Sequence, residues 1–159
     1  MNTAHRSRES GGRRQQTGVA AVELALVLPI LIVFLTVPIF FARCFWHYTV
    51  AQKAAQDAAR YLSTVSRSEM MSPTLAANAV SLAVQIARLE MAELSPGSTI
   101  ATPTVYCDED NCGISAGTVP DVVRVKIVFN MFDSVFGIVD IGRYGLQITA
   151  NAKVPYVGS

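Results

Sequence analysis

Leu24-Ala25-Leu26-Val27-Leu28-Pro29-Ile30-Leu31-Ile32-Val33-Phe34-Leu35-Thr36-Val37-Pro38-Ile39-Phe40-Phe41-Ala42 runs for 19 positions without a charged residue. A helix of about 20 apolar residues crosses the hydrocarbon core of a bilayer. A core helix of a soluble domain rarely lacks charge for that long, so the stretch is read as a membrane span. Residues 1–17, upstream, are polar and hold Arg6, Arg8, Arg13 and Arg14 against Glu9. Basic residues stay on the cytoplasmic side, which sets that end inside. Downstream, Phe40, Phe41, Phe45, Trp46 and Tyr48 suit an aromatic belt at the opposite interface, with Arg43 reaching toward headgroups. The chain from about residue 49 onward is then expected outside the cytoplasm.

The rest of the composition narrows the classes. The chain has 159 residues, a formal net charge of +1, 51% hydrophobic residues and 16% charged residues. Disorder needs low hydrophobicity and high net charge, and a general nucleic-acid binder carries a basic surplus; neither is present. A cleaved secretory signal has a shorter apolar stretch and a small-x-small cleavage site, and Phe40-Phe41-Ala42 lacks its first small residue. A lipoprotein signal needs a small residue just before its cysteine, and Cys44 follows Arg43.

Glu23 stands at the start of the span, where an ionised carboxylate is costly unless it finds a partner. Taken alone, it reads equally as the polar edge of the helix near headgroups. The surrounding text is Arg13-Arg14-Gln15-Gln16-Thr17-Gly18-Val19-Ala20-Ala21-Val22-Glu23-Leu24-Ala25-Leu26-Val27-Leu28-Pro29. It resembles the start of TadE-like proteins, pseudopilins of the bacterial tight-adherence (Tad/Flp) pilus machinery. The resemblance continues through Ala51-Gln52-Lys53-Ala54-Ala55-Gln56-Asp57-Ala58-Ala59-Arg60-Tyr61, which looks like that family's post-membrane helix. Leu24 departs from the phenylalanine more usual after the glutamate, and Pro38 is an additional span proline. The last sixty residues match only in general style.

The resemblance implies a processing step. A prepilin peptidase would cut between Gly18 and Val19, where glycine lets the backbone extend into a protease cleft. The cut removes the leader arginines, leaves a new α-amino group on Val19, and makes Glu23 the fifth residue of the mature chain. In a bundle of such helices the carboxylate can pair with a neighbour's amine. Unpaired, both charges are expensive in lipid; paired, they hold a register.

Beyond the span, Val50, Ala51, Ala54, Ala55, Ala58, Ala59, Leu62 and Val65 recur at helical spacing, so the helix is expected to continue from about Val19 to Val65. Pro29 and Pro38 are expected to kink it. Ser66-Arg67-Ser68-Glu69-Met70-Met71 reads as a linker. Ser72-Pro73 reads as the start of a helix whose apolar face is Leu75, Ala79, Leu82, Ala83, Ile86 and Leu89, ended by Ser95-Pro96-Gly97. Three strands follow: Thr99–Tyr106, an edge strand weakened by Pro103; Val122–Phe129; and Tyr144–Val154. In the second, Arg124 and Lys126 face away from Val123, Val125, Ile127 and Phe129. In the third, Gln147, Thr149, Asn151 and Lys153 alternate with Leu146, Ile148, Ala150, Ala152 and Val154. One apolar face per strand fits an antiparallel meander covered by the Ser72–Leu94 helix. Met131–Arg143 either packs under the sheet or forms an exposed apolar loop that binds another subunit.

Cys107 and Cys112 bracket the polar loop Asp108-Glu109-Asp110-Asn111 on the side of the membrane where disulfides persist, so a local bridge is expected. The spacing also suits metal, but no second pair or nearby histidine completes a four-ligand site. The loop's oxygens suit calcium, yet the later bidentate glutamate of an EF-hand is missing, and a solvated hairpin tip fits better. Cys44 is left over as a packed thiol or an intersubunit bridge. An enzyme is poorly supported. His5 and His47 cannot serve a triad in the outer domain, Asp121, Asp133 and Asp140 are scattered, and no phosphate loop or zincin motif occurs. No cofactor and no catalytic residue is expected.

The expected class is α+β: an N-terminal transmembrane helix extended into the periplasm, then a helix on a small antiparallel sheet. The expected divisions are a cytoplasmic leader, 1–18, the transmembrane and periplasmic helix, 19–66, and a periplasmic domain, 67–159. With the resemblance, the implied function is a minor pilin or pseudopilin of a Tad-type pilus or secretion system. It would sit in the inner membrane, with the prepilin peptidase, other pilins and the assembly platform as partners and no nucleic acid. The alternative is an uncleaved, signal-anchored periplasmic binding or scaffold protein.

Overall fold

The computed structural model describes residues 16–94, 98–100, 102–112, 118–132 and 144–158. Its first element, α1, is Gln16–Ser63. The chain divides into two compact units, Met1–Pro38 and Ile39–Ser159.

In the first unit the described residues are the N-terminal part of α1. Its helix is long and apolar enough to cross a membrane, with a mean hydropathy of 2.9 in the most apolar window. Val19, Val22, Leu24, Leu26 and Ile30 are exposed, as a lipid-facing surface requires. The hydroxyl of Thr36 donates to Ile32 O at 2.8 Å, so the polar group inside the apolar stretch is satisfied within the helix.

In the second unit α1 becomes one-sided. Phe40, Cys44, His47, Ala51, Ala54, Ala55, Ala58, Ala59 and Leu62 are buried at spacings of one, three and four. Phe41, Phe45, Trp46 and Tyr48 are exposed. Phe40 therefore leaves the expected belt and turns inward, because it falls on the same face as the alanines. The expected linker at 66–71 is instead a short helix, α2, Arg67–Met71. A capping box forms it: Glu69 N donates to the Ser66 hydroxyl, and Ser66 N donates back to the Glu69 carboxylate at 3.2 Å. Helix α3, Pro73–Met91, starts with proline at its first position and runs into a 3-10 turn, Ala92–Leu94.

The face that α3 buries differs from expectation. Ala76, Ala79, Ala83, Ala87 and Met91 are buried, and Ile86 is half-buried, whereas Leu75, Leu82 and Leu89 are exposed. Two stripes compete on this helix, one small and one large. The alanines of α1 sit in the same core cluster. The Lys53–Glu90 ion pair at 3.9 Å marks that α1–α3 adjacency.

The sheet is antiparallel and five-stranded: β1 Ser98–Ile100, β2 Thr104–Cys107, β3 Asp110–Asn111, β4 Val122–Met131 and β5 Leu146–Pro155. The α+β class holds, but the sheet is not a meander. The ten residues of β4 form its centre, with β5 along one side and both β1 and β2 end to end along the other. The expected Thr99–Tyr106 strand is thus two strands, broken around buried Pro103, which has no N–H for the ladder. Val123, Val125, Ile127, Phe129 and Met131 face the core, joined by Ala150 and Ala152 of β5. Ser95-Pro96-Gly97 and most of the Met131–Arg143 segment lie outside the described residues, as do Asp133 and Asp140.

Gly145 opens β5 with φ +70°, and a Cβ there would meet Met131 O at 2.5 Å and Phe132 Cε1 at 2.9 Å. Only glycine fits both the left-handed backbone and the close approach. At the other end of β5, the Tyr156 hydroxyl donates to Val65 O at 2.6 Å and Val157 N donates to Ser63 O at 3.0 Å. These bonds tie the end of the sheet to the end of α1. Burial pushes the Tyr156 phenol above its ordinary range; Arg67 lowers it and Glu69 raises it.

Candidate assembly surfaces

Three regions carry the groups on which assembly chemistry can act: the start of α1, the α1–α3 contact, and the two edges of the sheet.

At the start of α1, Gly18, Val19 and Glu23 are all exposed, and nothing lies within 4 Å of where a Cβ on Gly18 would be. Val19 and Glu23 are one turn apart on the same face, about 6 Å along the axis. Glu23 makes no ion pair among the described residues. Its carboxylate is thus displayed on a lipid-type surface with no counter-charge supplied from the described part of its own chain. The leader arginines lie outside the described residues.

Between the helices, Lys53 and Asp57 of α1 meet Glu90 of α3. One Glu90 carboxylate oxygen, Oε2, is buried and accepts no hydrogen bond. Burial raises the Glu90 pKa above the ordinary 4.5; the neighbouring Asp57 raises it further and Lys53 lowers it. Sequence reading missed this cluster, because Lys53 and Asp57 look like an ordinary surface pair on one helix. Nearer the apolar stretch of α1, His47 is buried and its Nδ1 donates to Arg43 O at 2.8 Å, edge-on to Trp46. That geometry satisfies the ring rather than arming it. Cys44 is a buried free thiol.

At one edge of the sheet, β2 and β3 form a hairpin closed by a disulfide between Cys107 and Cys112. Asp108 sits at φ 57°, a left-handed conformation that aspartate tolerates in turns. Its carboxylate accepts from Asp121 N at 3.1 Å and Val122 N at 3.0 Å. Asp108 is therefore spent on holding the start of β4, and Glu109 and Asp110 are left exposed at the tip. A cavity of about 110 Å³ lies beneath, lined by Met70, Pro73 and Ala76 and by the hairpin. It is too small for the usual 300–1,000 Å³ of a small-molecule site. No group of three or more His, Cys, Asp or Glu residues suited to a metal ion occurs among the described residues.

At the opposite edge, among the described residues, the outer backbone of β5 is engaged only at Asn151. There Gln52 of α1 donates to Asn151 O at 3.0 Å and accepts from Asn151 N at 3.3 Å. A polar groove lies alongside, lined by Gln52, Gln56, Arg60 and residues 151–154. The strand alternation places Arg124, Lys126 and Lys153 on the outer face, as the sequence pattern indicates.

Comparison with known proteins meets this geometry at α1. Residues 18–60 match the family described as TadE-like protein, beginning at Gly18 and ending at Arg60. The match covers residues 18–29 and 51–60 of the stretches on which the sequence resemblance rests and ends before α2. No curated protein and no solved structure matches the chain.

Proposed function

We propose that this TadE-like chain is a minor pilin or pseudopilin of a Tad-type (Flp) pilus or related secretion system. In this reading a prepilin peptidase cuts between Gly18 and Val19, and α1 then assembles with other pilin helices at the inner-membrane platform. The supporting observation is the conjunction at the start of α1. An open glycine begins the family match, a carboxylate with no ion pair among the described residues stands five positions on, and a long apolar helix surface follows that the described residues leave exposed. Cleavage would create an amine at Val19, and a neighbouring copy's Glu23 is the counter-charge that would neutralise it in lipid. The domain beyond residue 60 would then be held outside the cytoplasm to meet partners.

The test is the N-terminus of the protein recovered from membranes, read by mass spectrometry with and without the peptidase. The expected chain begins at Val19 only when the peptidase is present, and Gly18→Arg stays uncut. A chain that keeps residues 1–17 in both backgrounds overturns the reading in favour of an uncleaved, signal-anchored periplasmic binding or scaffold protein.

A further inference from the structure

The two edges of the sheet carry opposite charge. On one rung, Asn111 pairs Tyr106, Tyr106 pairs Arg124, and Arg124 pairs Lys153. On the next, Asp110 pairs Cys107, which pairs Val123, which pairs Val154. The hairpin edge thus ends in exposed Glu109 and Asp110. The β5 edge ends in exposed Lys153, with exposed Arg60 of α1 on the same groove and half-buried Arg124 behind it. Three strand spacings separate the edges, about 14 Å. Among the described residues none of Arg60, Arg124 or Lys153 makes an ion pair, and neither Glu109 nor Asp110 does.

From this arrangement we infer that the β5 groove is a docking site for the disulfide-closed hairpin of a second copy of the chain. Glu109 and Asp110 of one copy lie against Lys153 and Arg60 of the next. The chain's own hairpin cannot reach, because it sits on the far side of the sheet. Anionic lipid headgroups do not supply the counter-charge either. Arg60 stands twelve residues beyond Tyr48, the last of the aromatic belt, or about 18 Å along the helix, against a screening length of about 8 Å at physiological salt. The disulfide keeps the acidic tip in one conformation, so little order is lost when it docks. Among the described residues only the Gln52–Asn151 clasp engages the outer backbone of β5, so on both sides of Asn151 the hairpin backbone can lie alongside. Because the two surfaces lie on opposite edges of the sheet, the contact is head-to-tail and repeats from copy to copy instead of closing on a pair. It goes beyond the pilin reading and does not require cleavage at Gly18.

The experiment is zero-length carbodiimide cross-linking of the full chain in membranes, using a mixture of normal and ¹⁵N-labelled protein. The expected product joins the Lys153 amine to the Glu109 or Asp110 carboxylate as a mixed-isotope peptide pair. It should disappear at 0.5 M salt and fall about two- to fivefold in Arg60→Glu, from the strength of exposed ion pairs. Two reversed proteins separate docking from misfolding. Arg60→Glu/Lys153→Glu and Glu109→Lys/Asp110→Lys should each lose self-association of the outer domain, and mixing the two should restore it. Lys153 cross-linked only to other carboxylates, or reversed proteins that do not rescue each other, overturns the proposal. Cross-linking that persists in the uncut Gly18→Arg chain keeps this result distinct from the fate of the processing reading.

Discussion

Replacing Glu90 by glutamine should make the α1–α3 contact more stable at neutral pH. The buried Oε2 of Glu90 accepts no hydrogen bond, and a buried polar atom left unmade costs about 1–3 kcal/mol. Lys53 returns part of this, but at 3.9 Å and with its own side chain 72% exposed it contributes only about 0.2–1 kcal/mol. Asp57 adds like charge on the same side. Glutamine keeps the shape, removes the charge and can donate to Asp57, so the net gain is about 1 kcal/mol, or about 2–4 °C in melting temperature for a chain of this size. The pH dependence follows from the raised pKa. Burial favours the protonated form in the folded state, so this group's stabilisation is complete below the ordinary 4.5 and is lost as pH rises through the folded value. Glutamine mimics the protonated form at every pH. The variant should therefore match the parent in acid and pull ahead as pH rises toward 8. Thermal melting of the detergent-solubilised full chain between pH 4 and pH 8 measures this. A gap that is constant across that range, or a variant that melts lower at pH 7, would refute the argument.

Ala58→Leu should destabilise the domain by about 1–3 kcal/mol, because Ala58 is fully buried and the close α1 packing has no room for three further carbons; chemical denaturation measures it. Cys107→Ser/Cys112→Ser opens a ring of sequence separation 5, and loop entropy for so short a ring amounts to about 2 kcal/mol. The same loss should appear when the parent is melted with and without reductant, and an unchanged melting temperature would contradict it. Gly145→Ala forces a left-handed backbone costing about 1–2 kcal/mol and sets a methyl against the Met131 carbonyl. Hydrogen exchange at the Met131–Leu146 end of the β4–β5 ladder should rise in that variant, whereas equal protection would mean the turn has another conformation to use.

The parts of this molecule legible in the sequence are those governed by local period and by charge. Nineteen uncharged positions mark a helix long and apolar enough to cross a membrane, because length and composition are properties of the segment itself. The faces of β4 follow from strict alternation, because a pleated strand has only two sides. The candidate site at Gly18 and Glu23 rests on the resemblance to TadE-like proteins and not on spacing alone, since Glu23 by itself reads equally as the polar edge of the helix. The cation on β5, Lys153, was visible as the polar half of an alternation, but not its partner surface. Ser66–Met71 was misread because its polar composition resembles a linker, although Ser66 and Glu69 carry a capping box.

What only the tertiary structure decided is which of two possible surfaces is used. Helix α3 has an alanine stripe and a leucine stripe, and hydrophobicity alone favours the leucines. The core takes the alanines: Ala76, Ala79, Ala83 and Ala87 join the buried cluster that holds the alanines of α1 and the inner face of β4, and Leu75, Leu82 and Leu89 stay outside. Likewise the meeting of Glu90 with Lys53 and Asp57, and the separation of the acidic hairpin from Lys153 by the width of the sheet, arise from strand order and helix docking. Period and charge act along the chain and are written in it, whereas contacts between distant segments are settled by packing all the elements into one core.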